Sequence, residues 1–285
     1  MADENYEERN AIGPTDEGAH FFAHLEILGL KNAKRQDDYD SMKKKVGSFV
    51  EACKAEIEEK RAGSKNEFGF GIGFRIDSDS FCVWTQNDYR LYQFDDLLQT
   101  VSILLVIGFK QGMPLRGVIR YGNYKVERFG KTDDLRDVSL FDNEELLRMT
   151  QNEAHDLSVP MDWSGAVLTR KAWEKIAYEF ARGKHEGWGR VMRSANIDSA
   201  EWLRGRYLLP YDIPFEVGDC IKYNAINWNY NPNDGLSEDV VRKAFEGPCS
   251  TYDSDIESKQ EKTLQFFECS QRAALTCKFS CLEVP

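Results

Sequence analysis

The chain has 285 residues, enough for one large α/β domain with appendages or for two small domains. Its 48 Asp and Glu residues against 37 Lys and Arg give a formal net charge of -11, which disfavours nucleic acid as a partner. The longest apolar stretch, 101-109, falls short of the roughly 20 residues that cross a bilayer, so no membrane partner is expected. Seven scattered cysteines, without a recognisable signal peptide, favour reduced thiols and a cytoplasmic protein.

The first apolar segment follows an acidic N-terminal stretch with little apolar pattern, 1-18, which we expect to be a disordered tail. Residues from His20 to Leu30 are mostly apolar and predict a buried strand that ends in a turn at Gly29. The one acid in this segment is Glu26. An acid is costly to bury in an apolar strand, so Glu26 needs a metal ion, an arginine or a hydrogen-bond network.

A helix and a hairpin are predicted next. Apolar residues recur at spacings of three and four over 38-60, which predicts an amphipathic helix. Over 68-76, Phe and Ile alternate with Gly and Arg75, which predicts a strand with one apolar face and one nearly bare face that another molecule can approach. The Asp-Ser-Asp-Ser sequence at 77-80 predicts a tight acidic turn, and 81-85 predicts the returning strand.

The next two elements complete a recognisable order. Residues 94-110 predict a helix packed on a sheet, and 115-124 predict another strand. Strand, helix, hairpin, helix and strand is the order of a ferredoxin-like βαββαβ core, so we predict an α+β fold, an α/β sandwich with helices on one face. Further predicted elements extend this domain, 19-182: a helix over 142-156, a strand over 166-169 and a helix over 171-181.

The remaining region, 183-285, has tryptophans among Pro, Asn and Gly residues, and helices are predicted over 238-245 and within 254-278. We interpret it as a C-terminal extension that wraps around the core. The cysteines of its last part lack the paired spacing of a zinc site and are interpreted as buried thiols: Cys269, Cys277 and Cys281. The histidines fit no metal or triad spacing and are interpreted as structural: His20, His24, His155 and His185.

Two acids are predicted to meet in this fold. The first strand and the hairpin are neighbours in a ferredoxin-like sheet, so Glu26 and Asp79 can share one cation. Mg²⁺ takes oxygen ligands and is commonly held by one or two carboxylates plus substrate phosphates. Asp77 is either a third ligand or a turn residue. The alternatives are a salt bridge from Glu26 to a core arginine and a turn or capping role for Asp79.

Three segments resemble class III nucleotide cyclases. Leu-Glu-Ile-Leu-Gly-Leu at 25-30 is similar to that family's apolar-Asp-Ile-x-Gly-Phe strand, with Glu26 in place of the first metal-binding Asp. Ser-Asp-Ser at 78-80 resembles the hairpin motif that carries the second. Arg-Gly-Val-Ile-Arg-Tyr-Gly at 116-122 resembles the Arg-Gly-apolar-x-x-Gly motif of a bacterial branch that includes the Pycsar antiphage pyrimidine cyclases.

The resemblance covers 21-175 in order and 211-245 more loosely. It implies Mg²⁺ or Mn²⁺ as cofactor, UTP or CTP as substrate with UTP favoured, and a homodimer with each site across the interface. It implies these site residues: metal ligands Glu26, Asp79 and Asp77; substrate contacts Arg75, Ile27 and Gly29; catalytic residues Arg116 and Arg120. Arg75 replaces the base-reading Lys of purine cyclases, which is compatible with a different base because Arg presents fixed donors.

Two features depart from the family pattern. Glu26 is one methylene longer than Asp. The helix that carries a transition-state Arg in purine cyclases aligns with 143-153, where Leu147 and Gln151 occupy the expected Asn and Arg positions. Candidates to replace that arginine are Arg116, Arg120 and Arg148. The alternative function is therefore an inactive cyclase-like module that senses a nucleotide or binds a protein; a two-metal phosphodiesterase or polymerase palm is disfavoured by the acidic charge.

Overall fold

The computed structural model describes these residues: 15-30, 39-63, 72-77, 80-85, 91-128, 138-139, 161-181, 207-214, 220-229, 236-247 and 255-280. They form eight strands, β1 (Thr15–Ile27), β2 (Ile72–Asp77), β3 (Ser80–Thr85), β4 (Leu115–Arg128), β5 (Val138–Ser139), β6 (Gly165–Leu168), β7 (Leu208–Pro214) and β8 (Cys220–Ile226). They also form five helices, α1 (Tyr39–Gly63), α2 (Leu91–Lys110), α3 (Arg170–Ala181), α4 (Glu238–Ala244) and α5 (Ile256–Ser280).

The strands form one mixed sheet in the order β2-β3-β1-β4-β6-β8-β7, and β5 pairs with β4 beside this path. Strand β1 is antiparallel to both β3 and β4, and β2 is antiparallel to β3. The spatial order β4-β1-β3-β2, with α1 and α2 as crossovers, is that of a ferredoxin-like βαββαβ core. The predicted α+β fold is confirmed, with β6, β8 and β7 added beyond β4.

The main hydrophobic core lies between the sheet and the helices. On β1 it includes Phe21 and Leu25, whose side chains point to the helix side. The Phe21 ring lies 4.5 Å from that of Phe94 in α2, and the Phe49 ring of α1 meets Phe81 of β3 edge-on at 5.4 Å. Buried residues of α3, α4 and α5 join the same core. The amphipathic helix predicted over 38-60 and the sheet-packed helix predicted over 94-110 are thereby confirmed.

The opposite face of the sheet is also buried. Successive strand residues point to opposite faces, so Phe22, His24 and Glu26 of β1 lie away from the helix-side core. Phe22 pairs with Trp84 and His24 pairs with Cys82. All five side chains are at most 8% exposed, yet none belongs to the helix-side cluster. The sheet therefore has a second buried surface, which carries Glu26.

The glycine face of β2 differs from the sequence-based expectation at Gly73. We expected this face to be bare, but Gly73 pairs with Trp84 of β3, whose indole covers the position that a Cβ at Gly73 would occupy. The space beside this glycine is thus filled by the chain's own tryptophan. Gly69 and Gly71, the other glycines of the pattern, lie outside the described residues.

Several boundaries differ from the expected ones. Strand β1 begins at Thr15, before the predicted start at His20, because its pairing with β4 continues to Glu127. Strands β7 and β8 were not predicted; β7 contains two prolines and an acid and shows no clean alternation. The helix predicted over 142-156 lies outside the described residues.

The described cysteines are reduced thiols. Burial raises the pKa of the Cys53 thiol to about 12, because the thiolate is poorly solvated among apolar side chains. Cys53 and Cys269 form no disulfide, and Cys269 is only partly buried.

Within the described part of the chain, no helix has the length and apolar character that a membrane crossing requires.

The packing of Trp84 over Gly73 gives a stability test. Replacing Gly73 with Ala is expected to destabilise the fold by about 1 to 3 kcal/mol, because the new methyl group overlaps the indole. The control is Gly47→Ala in α1, where a Cβ meets no atom within 4 Å and should stabilise the helix by about 0.5 to 1 kcal/mol. Urea unfolding measures both, and equal midpoints for the two variants would contradict this packing.

Candidate functional site

A polar row crosses the sheet at the C-terminal end of β1. Glu26 lies opposite Ser80 of β3 on one side and opposite Arg116 of β4 on the other. Directly opposed residues of antiparallel strands share a face, so these three side chains lie together on the second face. The register continues the row to position 77 in β2 and to Gly165 in β6.

Glu26 and Arg116 form an ion pair within this row. One guanidinium nitrogen of Arg116, Nη2, lies 3.9 Å from Glu26 Oε2, and the side chains are only 13% and 10% exposed. A carboxylate this deeply buried requires a nearby positive charge, and Arg116 supplies one. At 3.9 Å this atom pair is attracted electrostatically but is too far apart for a hydrogen bond. The alternative expected from the sequence, a salt bridge from Glu26 to an arginine, is therefore present.

The strand ends that flank the acidic turn, at positions 77 and 80, lie beside Glu26. Asp79 and the side chain of Asp77 lie outside the described residues. The residue that follows Asp79, Ser80, is the register partner of Glu26, and Asp77 is the register partner of Ser80. The backbone therefore brings the hairpin end of β2 and β3 to the same edge of the sheet as Glu26.

One described carboxylate lies at this edge of the sheet. The described residues supply one carboxylate, Glu26, at the end of a central strand, and oxygen ligands are what Mg²⁺ and similar ions take. Among residues whose side chains are described, no group of three or more His, Cys, Asp or Glu is arranged to hold a metal. Glu26 can thus be one ligand, and a complete site needs the hairpin acids as well.

The two candidate arginines of β4 lie at different distances from Glu26. Arg116 is its direct register partner, whereas Arg120 pairs with Phe22. Four residues along a strand correspond to roughly 13 Å, so Arg120 shares the face of Arg116 but lies well away from the carboxylate. The structure therefore brings Arg116, and not Arg120, to Glu26.

The positions expected to contact substrate are also separated. Arg75 is the register partner of Cys82, one row along β2 from position 77, and its side chain is not described. The side chain of Ile27 is buried in the helix-side core, so a ligand can reach only its backbone. Gly29 has φ of 77°, in the left-handed region that glycine adopts without strain, within the turn after β1.

Some neighbours of the site had no motif to mark them. His24 lies on the same face as Glu26, two residues earlier in β1, and is buried. The period of two along a strand is the signal that links His24 to Glu26, although the spacing of the histidines predicts only a structural role for it. Gly165 adjoins Arg116 through the parallel pairing of β6 with β4, which no local pattern shows.

Comparisons with known proteins give a limited result. No protein-family model matches the sequence, and no curated protein matches it significantly. Solved structures that match the chain include two bacterial light-regulated adenylyl cyclase structures, at TM-score 0.40 with 11% and 10% identity, covering 57% and 76% of this chain. A guanylyl cyclase structure matches at TM-score 0.40 and 9% identity, covering 75% of this chain and 94% of its own.

This chain spans about half the length of the light-regulated cyclases, 46% and 55% of those two chains. Similarity at this level does not identify an activity. The fold assignment rests on the strand order and register of the chain itself.

The Glu26 and Arg116 pair can be measured with a double-mutant cycle. Glu26→Gln and Arg116→Met should each destabilise the protein by about 1 to 3 kcal/mol, since each leaves one charge poorly compensated at a nearly buried position. The double variant should lose less than the sum, with a coupling of about 1 to 2 kcal/mol in urea unfolding.

The control cycle is Arg170→Met with Glu174→Gln, an exposed pair on α3 whose nitrogen and oxygen are only 2.7 Å apart. Exposed pairs on a helix are worth about 0.5 kcal/mol or less, so burial and not distance should decide the larger coupling. A cycle for Glu26 and Arg116 that is additive, or no larger than the control, would contradict this account.

Proposed function

We propose that this chain is a metal-dependent nucleotide cyclase. The observation that carries the proposal is the position of Glu26 at the end of the central strand, between Ser80 of the hairpin and Arg116 of β4. The three motifs that resemble class III cyclases come from separate parts of the sequence, and the register sets Glu26 of the first opposite Ser80 of the second and Arg116 of the third.

In this proposal Glu26 and Asp79, with Asp77 as a third ligand, hold Mg²⁺ or Mn²⁺. When bound, the metal supplies Lewis-acid stabilisation of the phosphate and lowers the pKa of the ribose 3'-hydroxyl. Arg116 neutralises the triphosphate, because a guanidinium matches phosphate oxygens in a bidentate manner. Arg120 lies farther along the same face and is assigned to a more distant part of the substrate.

The reaction forms a bond between the ribose 3'-oxygen and the α-phosphorus. It breaks the bond between the α-phosphorus and the oxygen that bridges it to the β-phosphorus. The 3'-hydroxyl gives its proton to solvent water, and pyrophosphate leaves with the electron pair of the broken bond. The chain's own groups mostly position the triphosphate and balance its charge, as is general for phosphoryl transfer. Glu26 is nearly buried, and electrostatic interactions are stronger where water is excluded. Its setting therefore favours stabilisation of the triphosphate by charge.

The substrate class proposed is a pyrimidine nucleotide, UTP before CTP, with cyclic UMP or cyclic CMP as a second messenger in antiphage defence. The support is the Ser-Asp-Ser hairpin, the Arg-Gly motif at 116-122 and Arg75 at the base-reading position. A cytoplasmic homodimer, with the core over 19-182 and an extension over 183-285, completes the proposal.

A second candidate is a cyclase-like module that binds a nucleotide or a partner protein without turnover. It is favoured by the contact between Glu26 and Arg116, because the carboxylate already has a positive neighbour without any metal. The longer Glu in place of Asp and the lack of an Arg at position 151 also fit this alternative.

Catalysis is tested with purified protein, Mn²⁺ and each of the four nucleoside triphosphates, with mass analysis of the products. A cyclic monophosphate and pyrophosphate are expected from one pyrimidine nucleotide. Asp79→Asn should lower kcat by about 100-fold or more, since a metal ligand is lost. The control is Asp212→Asn, an exposed acid of β7, which should retain wild-type activity.

The binding-module alternative predicts a different result in the same samples. Nucleotide would bind with an affinity that does not depend on the metal ion, and no cyclic product would form at any metal concentration. That outcome, with intact folding of the wild-type chain, would contradict the cyclase proposal.

A further inference from the structure

Helix α5 is hydrogen-bonded to the segment that leads into β6. The Ser164 backbone N–H donates to Thr263 Oγ1 at 2.8 Å, and both residues are fully buried. The Thr263 hydroxyl donates its own proton to the Lys259 carbonyl one turn earlier, at 2.6 Å. Its oxygen is therefore oriented to accept from Ser164. This bond links positions 99 residues apart in the sequence.

The same serine connects α5 to the start of β4. Ser164 Oγ donates to the Leu115 carbonyl at 2.7 Å. The next residue of β4 is Arg116, and the residue after Ser164 is Gly165, its partner in the parallel pairing of β4 and β6. A continuous chain of buried hydrogen bonds thus runs from α5 through Ser164 to the residue before Arg116.

The residues on either side of Ser164 contact α5 as well. Asp162, which is nearly buried, accepts from Ser258 Oγ at 3.1 Å and from Lys262 Nζ. The Trp163 ring packs edge-on against Phe266 with centroids 4.8 Å apart. Residues 162, 163 and 164 therefore all contact one helix, so the segment that borders Arg116 is fixed by α5.

We propose that Thr263 of α5 is a positioning residue for the candidate site, acting through Ser164 on the start of β4 and hence on Arg116. Arg116 must lie opposite Glu26 and face the substrate, so a small shift of its backbone changes both contacts. Loss of the Thr263 acceptor leaves the buried Ser164 N–H unsatisfied, and this cost favours a shift of the segment toward another acceptor. The catalytic side of this inference rests on the proposed function; the structural side does not.

The test uses the full chain and three variants of α5. Thr263→Val keeps the shape but removes the acceptor, and Thr263→Ser keeps the hydroxyl. Ser270→Ala is the matched control, because it removes another buried hydroxyl of α5. This hydroxyl donates to the Phe267 carbonyl and accepts from the side chain of Asn229, which follows β8. It has no hydrogen bond to Ser164. Amide hydrogen exchange over 115-118 and steady-state kinetics are measured on each.

In Thr263→Val, exchange over 115-118 is expected to accelerate ~10-fold and kcat to fall ~10-fold, with KM changing less, because one buried hydrogen bond is lost beside the site. Thr263→Ser should restore both, and Ser270→Ala should alter neither. If Thr263→Val fails to fold, Ser164→Ala removes only the bond to Leu115 and should show the same pattern.

Three results separate the claims. Exchange over 115-118 that is the same in Thr263→Val and Ser270→Ala overturns the positioning role. Accelerated exchange with unchanged kcat in an active enzyme also overturns it, because β4 then moves without consequence for the reaction. A third result is accelerated exchange in Thr263→Val together with a wild-type protein that forms no cyclic nucleotide. This result supports the effect of Thr263 on β4 and contradicts only the proposed function.

Discussion

The uninterrupted antiparallel pairing of β1 with β4 is the constraint on which the rest of the site depends. It runs in one register from Thr15 opposite Glu127 to Ile27 opposite Leu115. A slip of one residue would exchange the two faces of β1, placing Glu26 in the helix-side core and Leu25 on the other face. The apolar residues that fill that core therefore also determine that the carboxylate faces Arg116.

This arrangement makes the neutralisation of one buried carboxylate the link between the fold and the proposed function. In the structure the Arg116 guanidinium lies 3.9 Å from Glu26, close enough to offset part of the desolvation cost without a tight bond between these atoms. A divalent cation at the same edge would satisfy the same charge. The two proposed functions, cyclase and binding module, differ mainly in which cation would compensate the charge of Glu26 when nucleotide is present.

The sequence predicted the local elements well and the long-range contacts poorly. Helices α1 and α2 followed from apolar spacing, and the hairpin followed from its turn residues. Strand β7, with Pro210 and Pro214, had no such signal. That Glu26 requires a partner was clear from its apolar surroundings, but the choice of Arg116 over Arg120 depends on the register of β4. The hydrogen bond between Ser164 and Thr263 cannot be predicted from the local sequence around either residue.

The central claim is that Glu26 and Asp79 bind a common divalent ion at the edge of the sheet. Its most direct test is a crystal structure of the protein with Mn²⁺ and a pyrimidine triphosphate that lacks the 3'-hydroxyl and so cannot cyclise, using the anomalous signal of the metal. The account predicts an anomalous peak within about 2.5 Å of a carboxylate oxygen of each residue. Full occupancy by nucleotide with no peak near Glu26, and with its carboxylate still held by Arg116, would contradict it.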